Sequence, residues 1–207
     1  MERESVKKLF GTNFIGKEEL KPFFKALGFG ELEILETPIQ YGDAALQKAA
    51  NEGYILIYGV GGINGKNITL KFLREKFGVN PDDSEPCLYN QDWYMKEGFM
   101  NLMLEDRWYL IKKDVFEESR AVMPGDLTQQ GLVFPPAILC GYTFFAYYYA
   151  HNEFLWWHDF VWCCDTDHNG DRIYVGKYHD IDGVNKNGFS IHRHLALRPC
   201  YGSVNIL

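Results

Sequence analysis

Apolar positions recur along this chain with two different periods, and the change from one to the other divides it. Glu4 to Phe10 and Lys17 to Leu27 carry apolar residues at helical spacing, the second as a stripe of Leu20, Phe23, Phe24 and Leu27 that ends at Gly28. Pro22 lies inside that stripe and predicts a late start or a kink, because proline lacks one backbone donor. Asp43 stands where it could cap a helix over Ala44 to Asn51, which Gly53 stops. Tyr54 to Tyr58 (YILIY) reads as a short apolar strand, followed by a glycine-rich turn and a helix from Ile68 to Phe77. The polar, proline-containing stretch Asn80 to Glu85 reads as a linker. Arg107 to Lys112 is strand-like and apolar on both faces, which predicts a covered strand, and Met123 to Gly131 reads as a loop.

The densest pattern runs from Phe134 to Tyr201. Pro135 and Pro136 open a helix to Ala150 that carries aromatic and aliphatic residues on nearly every face, as a core helix does. Phe160 to Cys164 is apolar on both faces and should lie mid-sheet. Arg172 to Tyr178 alternates, with Ile173 and Val175 on one side and Arg172, Tyr174 and Tyr178 on the other. In Phe189 to Leu197 the inward set is Phe189, Ile191, Leu195 and Leu197, interrupted by Arg193, and the outward set is Ser190, His192 and His194. These segments predict an antiparallel sheet with one buried and one open face, in an α+β protein.

Composition narrows the function. With 207 residues, 46% of them hydrophobic, the chain can bury a sizeable core. A formal net charge of -7 disfavours a nucleic-acid backbone as the main partner. The first residues, MERESVKKLF, lack the apolar run of a secretory leader, and the apolar run from Phe134 to Ala150 is too short and too proline-bearing for a membrane span. A cytoplasmic protein without a membrane partner is expected. Cys87, Cys140, Cys163, Cys164 and Cys200 form no CxxC pair and read as free thiols, with the adjacent Cys163 and Cys164 on opposite strand faces.

Three stretches invite chemistry. The loop from Gly59 to Asn67 fails as a phosphate-binding loop, since Val60 stands where the first glycine is needed and Asn67 where Ser or Thr would follow Lys66. Asp165, Asp167, Asn169 and Asp171, with Gly170, match the first half of a calcium loop, but the closing Glu position is Gly176 and the flanks are strands. A hairpin turn is expected there, with calcium as the alternative. His192 and His194 lie two apart on one strand face, about 6.5–7 Å from each other; with His179 or Asp180 as a third ligand they could hold zinc and support a hydrolase or nuclease.

A proline-started helix, a strand ending in the Trp162 to Asp165 step, a hairpin and a final strand reading NGFSIH from Asn187 to His192 together resemble the C-terminal half of C-type-lectin-like domains. The similarity is closest to formylglycine-generating-enzyme-like proteins and to bacterial or phage-borne variable ligand-binding proteins diversified by retroelements. It covers about the last hundred residues and implies a ligand surface displayed by the last strands and turns. The paired catalytic cysteines of the first group and the calcium-binding Glu-Pro-Asn and Trp-Asn-Asp tripeptides of sugar-binding lectins are missing from the chain, so neither activity carries over. The expectation is an N-terminal α/β segment over 1–104 and a C-type-lectin-like domain over 105–207. Its function would be non-catalytic recognition of a protein or other macromolecule, without a cofactor, through Arg172, Tyr174, Tyr178, His179, Asn187, His192 and His194. The alternative is a metal-dependent hydrolase built on His192, His194, His179 and Asp180.

Overall fold

A computed structural model describes residues 1–178, 187–193 and 197–207. His179, Asp180 and His194 lie outside the described residues, as does Leu195. The helices are α1 (Arg3–Phe10), α2 (Lys17–Ala26), α3 (Asp43–Asn51), α4 (Leu70–Phe77), α5 (Pro124–Gln129) and α6 (Ala137–His151). The strands are β1 (Phe14–Ile15), β2 (Tyr54–Tyr58), β3 (Gly62–Ile63), β4 (Lys66–Asn67), β5 (Trp108–Lys112), β6 (Phe160–Thr166), β7 (Arg172–Tyr178), β8 (Gly188–His192) and β9 (Tyr201–Gly202). The class is α+β.

Local sequence accounts for most of these starts and stops. Thr69 caps α4, its hydroxyl accepting the Phe72 N–H at 3.1 Å, and Asn64 and Gly65 turn the β3–β4 hairpin with both φ angles positive. The glycine loop is therefore a hairpin connection. Two expectations change: α2 runs as one helix through Pro22, secured at its start by the Gly16 N–H on Glu19, and Asp43 occupies the first helical position of α3, where it pairs with the chain's terminal ammonium in place of capping.

β1, β2 and β5 make one sheet, in which β2 and β5 pair antiparallel from Tyr54 opposite Lys112 to Tyr58 opposite Trp108. The second sheet has the order β8-β7-β6-β9. Helix α6 packs against α2 and α4 and reaches both sheets; eleven of its residues, Ala137 to Tyr147, are buried, and the Tyr142 hydroxyl donates to Tyr58 O on β2. One hydrophobic cluster runs from Val6 to Val204. The C-terminal tail ties the sheets together, since β9 pairs with β6 while Ile206 bridges Ile111 of β5. The boundary expected at residue 104 thus separates β2 from its partner β5, with both strands in the same cluster. The stretch expected to be a linker leads into Cys87 to Tyr89, which runs beside β8: Phe189 N donates to Cys87 O and Tyr89 N to Phe189 O, both at 2.9 Å. That pairing covers the edge of β8.

Candidate functional site

The second sheet has two faces of different chemistry. Its inner face carries Val161, Cys163, Ile173, Val175, Phe189 and Ile191, all fully buried in the main cluster beneath α6. Lys177 continues this face and is 1% exposed; its ammonium lies between the rings of Phe154 and Trp157, 4.7 and 4.6 Å from their centroids, and pairs with Glu85 at 2.6 Å. A buried ammonium needs such a partner to remain charged without a large desolvation cost.

The outer face was expected to be open, and most of it is covered. Trp162, Tyr174 and Tyr201 are buried in a second cluster with Leu127 and Phe134. The cover comes from a segment read as a loop: Pro124 starts α5, and Leu127 is the only large apolar side chain within that helix, so it leaves no period to detect. Tyr174, expected to face solvent, is 4% exposed. Its hydroxyl lies 3.4 Å from that of Tyr201, and burial followed by that hydroxyl pushes the Tyr174 phenol far up. Leu197, expected to point inward beside Ile191, packs instead against this outer cluster.

Arg172, also expected to be outward, is half-buried: its Nη1 donates to Cys163 O at 2.9 Å and its guanidinium lies 5.1 Å from the centre of the Phe134 ring. That contact fastens the cover to the sheet. Asn187 is half-buried and its N–H reaches Asn80 Oδ1 at 3.4 Å. Tyr178 closes β7 opposite Gly188. His192 is half-buried, stacked on Tyr174 with 5.4 Å between ring centroids, edge-on to Phe160 at 5.4 Å and 6.4 Å from Tyr89. Ser190 Oγ lies 2.5 Å from its Nε2. The sheet brings His192 together with Tyr174; Phe160 and Tyr89, which flank the imidazole, gave no sign of doing so in the sequence.

The Asp165–Asp171 stretch divides its carboxylates between two tasks. Asp165 accepts the Ala137 N–H at 2.6 Å at the start of α6, and burial pushes its carboxyl up. Asp167 folds back on the turn, accepting the N–H groups of Asn169 at 2.8 Å and Asp171 at 2.9 Å, and its other oxygen takes Arg193 at 2.9 Å. Burial opposes the Asp167 charge, but the Asp171 amide, Arg193 and the Asn169 amide outweigh it and hold the carboxyl below its ordinary value. Arg193, which interrupts the inward pattern of its strand, has its guanidinium 4.5 Å from the centre of the Trp93 ring.

Glu97, Asp167 and His168 bring one ligand atom each within 4.8 Å of one another, the spacing a metal ion would need. The buried Glu97 already accepts the His168 N–H at 3.0 Å and lies 2.6 Å from its Nδ1. An ion there would have to displace the contacts that fix the hairpin. Burial holds the Cys87 and Cys163 thiols protonated near neutral pH, pushing Cys87 up to about 11 and Cys163 well above its ordinary value.

The turn before β6 is the tightest part of this region. Trp156 and His158 have φ angles of +50° and +69°, a conformation that costs a bulky residue energy. It is over-determined by the Trp156 Nε1–H on Lys113 O at 3.0 Å, the Lys177 N–H on Trp156 O at 3.2 Å, and Gly176, where a Cβ would lie 2.0 Å from Asp159 O.

No described helix is long and apolar enough to cross a membrane. No protein-family model matches the chain, and no curated protein or solved structure does so either.

Proposed function

We propose that this protein recognises a protein or other macromolecular ligand without catalysis, at the end of the outer sheet face formed by His192, Phe160 and Tyr89. The observation that carries this reading is the way His192 is supported. A half-buried imidazole is stacked on a fully packed tyrosine and oriented by Ser190, so little side-chain freedom is lost when a ligand meets it. The similarity of the last hundred residues to C-type-lectin-like domains favours the same strands as a display surface. Arg172 and Tyr174, the other described members of the expected ligand set, act in this reading as the base of the platform. Tyr178, His179, Asn187 and His194 belong to the same end of the sequence and are kept as further candidates.

The test compares retention of bound partners on immobilised wild-type protein and on His192→Ala. Retention should fall about tenfold, the equivalent of ~1.4 kcal/mol, with the melting temperature little changed. Unchanged retention would overturn the proposal. Stoichiometric zinc or manganese in the purified protein, lost on His192→Ala, would favour the hydrolase reading instead.

A further inference from the structure

Between α2 and α3 the chain passes through a segment that is fastened at both ends and has unpaired amide donors between them, although Leu35 O accepts the Tyr58 hydroxyl at 3.3 Å. Phe29 N–H donates to Phe24 O at 3.0 Å on one side. On the other, Glu36 accepts Arg3 Nε at 2.7 Å and the Lys17 N–H at 2.5 Å, while Thr37 N–H donates to the Tyr58 hydroxyl and Thr37 O accepts Trp108 Nε1 at 2.9 Å. Among the described residues, nothing accepts a hydrogen bond from the backbone N–H of Leu32, Glu33, Ile34, Leu35 or Glu36.

Exposure alternates along this stretch. Glu31, Glu33 and Leu35 are exposed, Leu35 by 84%, and Leu32, Ile34 and Glu36 are half-buried. A period of two is the mark of extended chain, with successive side chains on opposite faces. A cavity of about 680 Å³ lies alongside, between the segment and α2, lined by Lys21, Pro22, Phe24 and Lys25 from the helix and by Glu31, Leu32, Glu33 and Ile34 from the segment. The segment therefore has what a sheet edge offers to an incoming strand: unpaired amides, fixed ends and a neighbouring space whose walls alternate apolar and charged side chains.

We infer that Glu31–Glu36 is a docking edge for an extended basic peptide segment of a partner, which adds to it as a β-strand. Cross-strand neighbours share a face. Apolar side chains of the partner would enter the cavity beside Leu32 and Ile34, and alternate lysines or arginines would lie next to Glu31 and Glu33. Glu31 and Glu33 on the exposed face of the segment and the net charge of -7 favour a basic strand, Lys21 on the opposite wall being already paired with Glu18, and they disfavour a second copy of this chain, whose own Glu31 and Glu33 would face like charge. None of the residues at the His192 end of the sheet takes part.

The probe is a synthetic hexapeptide alternating lysine and valine, compared with one of the same composition with its lysines grouped. Titration followed by amide hydrogen exchange on the full chain should show binding of the alternating peptide and slowed exchange at Leu32–Glu36. The double substitution Glu31→Lys, Glu33→Lys changes exposed side chains and should leave the melting temperature in place while weakening the alternating peptide about tenfold, or ~1.4 kcal/mol. Equal binding of the grouped peptide, protection elsewhere, or unchanged affinity in the double variant would overturn the inference. Self-association that protects the same amides would overturn it in favour of a second copy.

Discussion

The two faces of the second sheet are both largely covered and yet differ in how they were filled. The inner face is mostly aliphatic, with Val161, Ile173, Val175 and Ile191 meeting α6 and its phenylalanines. The outer face is aromatic, with Trp162 edge-on to Tyr174 and Tyr201 under α5 and the row ending at the half-buried His192. Aliphatic residues need only shape and dryness. Tyrosine and histidine must also place a polar tip, so their face remains partly hydrogen-bonded and can grade from core into surface. Alternation of aliphatic with aromatic or polar residues thus marks which side of a strand meets the main core. It does not mark which side meets water.

Removing the largest filling from the inner side should cost most. Phe145 stacks on Phe77 at 4.3 Å and lies 6.0 Å from Phe189. Phe145→Ala should lose about 3–5 kcal/mol in denaturant unfolding, and a loss below about 1 kcal/mol would show that the inner face is not the main core. Tyr174→Ala tests the outer face and should lose about 3 kcal/mol, against less than about 1 kcal/mol for Tyr174→Phe, which keeps the ring and gives up the contact with the Tyr201 hydroxyl. Equal losses would mean that the hydroxyl pair, more than the ring, holds the cover.

A smaller effect is expected where backbone crosses the outer face. Gly176→Ala puts a Cβ against Asp159 O, which is main chain and cannot swing away, and should cost about 2 kcal/mol. Relief of the clash by opening the 156–158 turn would appear as faster amide exchange there. His192→Ala should change stability by less than about 1 kcal/mol, which separates the rim from Tyr174 beneath it.

The subtlest contrast is in pH dependence. The Asp167 carboxyl is held below its ordinary value, so its contribution to stability is complete above the unfolded carboxylate pKa and is lost as the pH falls through its folded value. The Asp165 carboxyl is raised, so the folded state keeps its proton to higher pH and gains stability as the pH falls through that value. Acid titrations of stability should therefore respond oppositely: Asp167→Asn flattens the acid-side loss, and Asp165→Asn steepens it. Parallel behaviour would mean that the two carboxyls share one environment.

The sequence by itself determined the elements whose residues repeat with a clear period or carry a local signal. The stripe of α2, the all-apolar faces of α6, the apolar strand β2, the glycine-rich turn after it and the alternation in β7 were all legible, because each carries a short-range pattern or a turn residue. The α+β class followed from them. Tertiary structure alone decided what covers each face. Leu127 and Phe134 come to Tyr174 from some forty residues earlier in the chain, Tyr89 to His192 from about a hundred, and the partners of Arg193 are Asp167 and Trp93. No local pattern encodes such meetings. Whether a tyrosine faces water or a second layer depends on what packs against it, and a short helix with one apolar side chain is enough to decide it.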